Sequence, residues 1–198
     1  MENNKYTRYN LKPIDREEQR LFWKFRVDDI VDLFKYVCFI ETIWMLAYIT
    51  GLINDVSPKQ VGFVVLGTVS CTMHWTVYCF RFRLQARMVT VTIVLYTVYQ
   101  ILIGLICEWI FQNHPEHDRT HIALASNSMI VYCVFLCANV SQAIYFGAIF
   151  ALNVLINVYR NNKNEDERKA FFTHSIFAVL VTLFMTYVLI SRELRRFF

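Results

Sequence analysis

At 198 residues the chain is long enough for one ordinary soluble domain, but its 18% charged residues, against 56% hydrophobic, fall below the roughly 25% charge of soluble domains. The charge lies in the first 35 residues, in short islands and in the last seven, so the formal net charge of +4 builds no basic patch with interleaved aromatics and argues against nucleic acid as a partner. Long apolar blocks between the islands indicate a polytopic membrane protein, because charge at bilayer depth costs about 2.5 kcal/mol or more.

Residues 1–12 are polar and read as irregular. They hold no apolar signal-peptide core, and Glu2, Asp15, Glu17 and Glu18 argue against a mitochondrial presequence, which is poor in acids. From Pro13 the pattern becomes helical. Asp15 is a plausible N-cap with Glu17 and Glu18 in the first turn. Trp23, Val27, Ile30 and Phe34 share one face, and Lys24, Arg26, Asp28, Asp29 and Asp32 fill much of the rest. Residues 15–32 are therefore predicted to form an amphipathic interfacial helix, at the membrane surface or against the bundle, running into the first span; a soluble coiled-coil contact is the alternative. The domain division is 1–32 for this N-terminal segment and 33–198 for a transmembrane domain.

The first predicted span is 33–53, interrupted by Glu41. A turn at Asn54–Gln60 leads to a second span over 61–80. The island RFRLQAR (81–87) precedes a third span at 88–111, and QNHPEHDRTH (112–121) follows it. The next block, Ile122–Tyr159, runs 38 residues without Asp, Glu, Lys, Arg or His. As one helix it would extend roughly 57 Å, nearly twice a hydrocarbon core of about 30 Å. It is either one long tilted span or two short ones. After the mixed-charge loop RNNKNEDERK (160–169), a last span covers 170–190 and ends in SRELRRFF.

Orientation resolves the choice. RFRLQAR carries three positive charges and belongs inside. Splitting the long block puts the Arg192, Arg195 and Arg196 tail inside as well, and Ala138–Gln142 is the block's one cluster of turn-tolerant residues. The expectation is an all-α polytopic transmembrane helical bundle of six spans (five being the alternative), with spans at 122–138 and 143–159 and both termini inside. A turn falls near Asn139, with Asn127 and Asn153 facing each other across the hairpin. The Asn139-Val140-Ser141 glycosylation pattern then lies at an inner turn and is not modified.

Glu41 is the most costly residue of the chain, an acid in mid-span. His74, at a similar depth in the antiparallel neighbour, is the partner that helix geometry suggests, and a Glu–His pair can change its charge near neutral pH. The competing reading has a neutral Glu41, with each group bonding a nearby hydroxyl or carbonyl. Gln100, Asn127, Asn153 and Asn157 are expected to make interhelical hydrogen bonds, a solute path being the alternative. His114, His117 and His121, with Glu116 and Asp118, offer a weak metal or pH-sensing site, but their spacing matches no standard zinc motif and solvated loop histidines compete with it. Cys38, Cys71, Cys79, Cys107, Cys133 and Cys137 all lie in apolar blocks and are read as buried free thiols. There is no phosphate-binding Gly-rich loop, nucleophile elbow or metalloprotease helix, so neither an enzyme nor a cofactor is expected.

The final span leads directly into a charged helix, Arg192, Glu193, Arg195, Arg196, Phe197 and Phe198. With short loops, a tight turn between spans four and five and both termini inside, the chain resembles the six-span membrane domains of class III nucleotide cyclases and some sensor kinases. The resemblance implies a sensing, anchoring or dimerising module for a signalling partner; the catalytic module of that family does not follow Phe198 in this sequence. Two other classes remain open: a structural subunit of a larger membrane complex, and a small proton-linked transporter or channel subunit using Glu41, His74 and Gln100. The expected partners are the lipid bilayer and other membrane subunits or a second copy. The plasma membrane or an endomembrane is expected, with the mitochondrial inner membrane as the alternative.

Overall fold

A computed structural model of the chain describes residues 6–7, 11–54, 56–84, 87–113, 118–137, 139–161 and 165–198. Two short strands, β1 (Tyr6–Thr7) and β2 (Lys12–Pro13), pair antiparallel ahead of the helices. The rest is all-α: α1 (Arg16–Asn54), α2 (Pro58–Leu84), α3 (Met88–Asn113), α4 (Asp118–Val131) continuing as a π-helical segment (Tyr132–Leu136), α5 (Val140–Asn161) and α6 (Glu165–Phe197).

The helix starts follow from local chemistry. Asp15 Oδ1 accepts from the Glu17 amide at 2.7 Å, and its carbonyl accepts from Gln19 at 2.9 Å, so it caps α1 as expected. Ser57 accepts the Gln60 amide at 3.3 Å, and Pro58 opens α2 with its fixed φ and no amide to satisfy. Hydroxyls within the apolar stretches turn inward on their own helix: Thr50, Thr68, Thr72 and Thr76 each donate to the carbonyl four residues back at 2.7–2.8 Å, which removes the cost of an unsatisfied donor.

Most helices extend beyond the apolar blocks, because hydrophobicity marks the apolar part of a helix and capping marks its ends. As expected, the helix predicted over 15–32 runs on into the first span: α1 is unbroken over residues 16–54. Its first turns pack on the bundle, with Phe22 and Trp23 buried. Arg26, expected on the polar face, is 1% exposed. The long apolar block does break. Its helix ends at Leu136, Cys137 is extended, and α5 starts at Val140. The α4 helix begins at Asp118, inside the segment read as a loop.

Side-chain contacts give the direction of each helix. Glu41 and Thr42 of α1 meet His74 and Cys71 of α2, while Tyr48 stacks on Phe63 further along, so the two run antiparallel. Tyr96 contacts Tyr132 and Phe146, and Gln100 contacts Ser128 and Asn153. Hence α3 and α5 run parallel, with α4 antiparallel to both. Phe197, at the end of α6, packs on Phe22 and Phe25 near the start of α1. The two described ends of the chain therefore meet at one end of the bundle, beside the α4–α5 turn.

Among the described residues, five helices are long and apolar enough to cross a membrane: Lys35–Asn54, Pro58–Phe80, Thr90–Trp109, Val140–Asn157 and Arg168–Phe197, with a shorter apolar stretch at Leu124–Val134. Phe39, Trp44, Phe177 and Phe184 are each at least 60% exposed. Such an outer surface is compatible with a membrane protein, and in water it would be an aggregation liability.

Candidate functional site

Among the described residues, three groups of buried or part-buried polar side chains stand out. The first joins α1 and α2. His74 Nδ1 lies 2.5 Å from Glu41 Oε2, and Ser70 Oγ donates to Glu41 Oε1 at 3.0 Å. Ser70 also lies 3.4 Å from His74 Nδ1. Two lone pairs would repel at 2.5 Å, so one hydrogen sits between the imidazole and the carboxylate. The structure thus brings Glu41 and His74 together as helix depth suggests, and adds Ser70, which the apolar pattern hid.

The pair is not symmetric. The His74 side chain is 2% exposed and that of Glu41 is 24%, because Glu41 faces a cavity of about 330 Å³ lined by parts of α1, α2, α3 and α4. Its lining is largely apolar, with Trp44, Tyr48, Phe63 and Tyr99 as the aromatic surfaces and Ser70, Asn127 and Ser128 as the further polar groups. Ile40 and Trp44 of α1 and Asn127 of α4 are exposed to the outside as well. The cavity therefore opens sideways between α1 and α4, with a carboxylate on its floor.

The second group is a hydrogen-bond ladder between α3, α4 and α5. Gln100 is fully buried. Its Nε2 lies 3.1 Å from Tyr96 Oη, 3.2 Å from the Ala125 carbonyl and 2.8 Å from Ser128 Oγ, so two N–H groups are shared among three acceptors. Asn153 Nδ2 donates to the Gln100 carbonyl and to Gln100 Oε1, both at 2.8 Å. Asn157 donates to the Asn153 carbonyl and side-chain oxygen at 2.9 Å, and Tyr96 donates to the Phe146 carbonyl at 2.8 Å. Asn153 thus meets α3 and not Asn127, which instead lines the cavity. Sequence proximity favoured the hairpin partner, whereas α5 packs its polar face on α3. The close fit depends on Gly104, where a Cβ would lie 2.8 Å from Asn153 Oδ1.

The third group lies at the end where the terminal helices meet. Arg26 Nη2 donates to the Val134 carbonyl at 3.2 Å. Burial pushes the guanidinium below its ordinary pKa, while nearby Cys137 and Glu193 push it back up. Among the described residues, Arg26 Nε and Nη1 and Glu193 Oε2 are buried without a hydrogen-bond partner.

Of the three loop histidines, His114 and His117 lie outside the described residues, and His121 sits in α4 without a described side chain. Among the described residues, no three His, Cys, Asp or Glu side chains group as a metal site. All six cysteines are free thiols, Cys79 being exposed and the others buried.

No protein-family model matches the chain, and neither a curated protein nor a solved structure matches it.

Proposed function

We propose that the chain is a non-catalytic membrane domain of six spans that anchors, senses or dimerises for a signalling partner, with both termini on the cytoplasmic side of the plasma membrane or an endomembrane. The fourth span is short: Ile122–Leu136, its helical part without charge, reaches about 22 Å at ~1.5 Å per residue, so it crosses a hydrocarbon core of about 30 Å upright and with local thinning of the bilayer. The observation that carries the signalling reading is the joint between the terminal helices. α6 continues without a break into Arg195 and Arg196, its Phe197 packs on Phe22 and Phe25 of α1, and Arg26 holds the α4–α5 turn. A shift of any one of these elements moves the others, which is what a membrane input must do to reach an attached partner.

Replacement of Ser191 by Cys in a background lacking the six native cysteines tests this reading in lipid. Cross-linked dimers, with residues 12 and 191 labelled from the same side, are the expected result. Residues labelled from opposite sides would remove the topology, and cross-links that never form would remove the dimerising role. Recovery only in a fixed large assembly would favour a structural subunit instead.

The Glu41–His74 contact beside a cavity favours a second reading, a proton-linked transport role. Its test is proton flux in liposomes, which Glu41→Gln should abolish; flux that persists in the variant, or is absent from the original protein, removes it.

A further inference from the structure

The cavity between α1 and α4 combines three features. Its walls are largely apolar, its mouth opens sideways, and a carboxylate stands on its floor. Within the described lining there is no Lys or Arg; the basic partner of Glu41 is His74, buried behind it. One lone pair on each Glu41 oxygen is engaged by His74 or Ser70, which leaves acceptor capacity facing the cavity. Trp44 and Tyr48 flank the same space, with ring centroids 6.1 Å apart, and Tyr48 stacks on Phe63 at 5.2 Å. A carboxylate beside aromatic faces is the pairing that recognises an organic ammonium, by charge and by cation–π attraction.

We propose that this cavity is a binding site for a lipophilic amine, which enters sideways between α1 and α4 with its ammonium on Glu41 and its hydrocarbon tail along the apolar wall. Charge decides the class. A fatty acid would bring a second negative charge to Glu41, and in a low dielectric that repulsion is large. A neutral alcohol can donate one hydrogen bond but lacks the opposing charge. The tail need not be desolvated from water, since it arrives from the bilayer. This assignment rests on the membrane-spanning reading and names the input that the sensing role requires.

The test uses the full chain in phosphatidylcholine nanodiscs, with dodecylamine as the probe and dodecanol and dodecanoate as comparisons, each measured against empty discs. Saturable binding of dodecylamine is expected, at least tenfold tighter than that of either comparison. Glu41→Gln should weaken it at least tenfold. Asn127→Trp, which closes the mouth from an exposed position, should do the same without touching the carboxylate, and so decides the matter if the Glu41 variant does not fold. Equal binding of the amine and the alcohol, or unchanged binding in a folded Glu41→Gln or Asn127→Trp protein, overturns the proposal. Amine binding by a protein that forms no Ser191 cross-links would sustain the site while removing the dimerising role; cross-links without amine binding would do the reverse.

Discussion

The guanidinium of Arg26 caps the carbonyl of Val134, 108 residues further along the chain, at 3.2 Å. Val134 lies in the last turn of the π-helical segment, which stops at Leu136 before the extended Cys137, so its carbonyl lacks the continuing helix that would supply an amide. A cation at this negative end of a helix satisfies the carbonyl and complements the dipole. Arg26→Met leaves that carbonyl unpaired, and should cost about 1–3 kcal/mol. Arg26→Lys, which keeps a charged donor, should cost less. Thermal unfolding in detergent checks the order, and equal stability of all three proteins would remove the capping role.

Gly104 and Gly67 should respond to alanine with opposite signs. A Cβ at Gly104 would stand 2.8 Å from Asn153 Oδ1 and 3.2 Å from Asn157 Nδ2, so the ladder must move to admit it. The overpacking penalty, about 1–3 kcal/mol, exceeds the gain of up to about 1 kcal/mol in helix propensity. At Gly67 the nearest atom, on Tyr48, would be at an ordinary 3.6 Å, and the propensity gain should prevail. Denaturation of the two variants in the same detergent gives both signs.

Glu41 and His74 should be strongly non-additive. Replacing His74 by Phe strands the carboxylate. Breaking a fully buried pair costs about 3–5 kcal/mol, and the 24% exposure of Glu41 lowers the expected loss to about 2–3 kcal/mol. The double variant Glu41→Leu/His74→Phe should be more stable than the sum of the single losses predicts. A double-mutant cycle measures the difference, and additive losses would mean that the two groups act independently.

Helix depth was legible in the sequence, and so was the Glu41–His74 contact, because α1 and α2 are consecutive antiparallel helices whose levels can be matched by counting. The break near Asn139 was legible for a related reason: charge placement demanded a reversal, and few residues tolerate one. The α3–α5 contact is different in kind. It joins helices that are not consecutive, so nothing in the local pattern told Asn153 to face Gln100 instead of Asn127. Arg26 was assigned to the polar face because a cation normally stays in water; its use as a helix cap depends on where α4 ends, 108 residues away. Tyr96, Tyr99 and Tyr132 lie within predicted spans, where a phenol needs a partner. That demand was the available signal for Tyr96, which donates to the Phe146 carbonyl.

The ladder and the cavity should separate two residues that the sequence treated alike. Gln100→Leu removes the acceptor of Asn153 and the donor to Ser128. At roughly 0.6 kcal/mol per interhelical bond, up to about 1.7, the loss should reach about 1–3 kcal/mol. Asn127→Leu changes an exposed cavity residue and should alter stability by less than about 0.5 kcal/mol. Unfolding midpoints at matched detergent concentration test the pair; a large loss at Asn127 would restore it to the packing network.

Asn139 holds the reversal between α4 and α5. Its side-chain oxygen accepts the Gln142 amide at 3.0 Å, and its carbonyl accepts from Ala143 at 3.3 Å, which is the geometry of a helix N-cap. Asn139→Ala removes the side-chain acceptor and should cost about 1 kcal/mol, whereas Asn139→Asp keeps the acceptor, adds a negative charge at the positive end of α5 and should hold or raise stability. The carbonyl bond survives in both, so the helix start should not move. Unfolding of the alanine and aspartate variants separates a cap from a residue that is merely turn-tolerant: the cap requires Asp to exceed Ala, and equal stability would show that the turn is held by Arg26 on Val134 and by the packing of α4 on α5 instead.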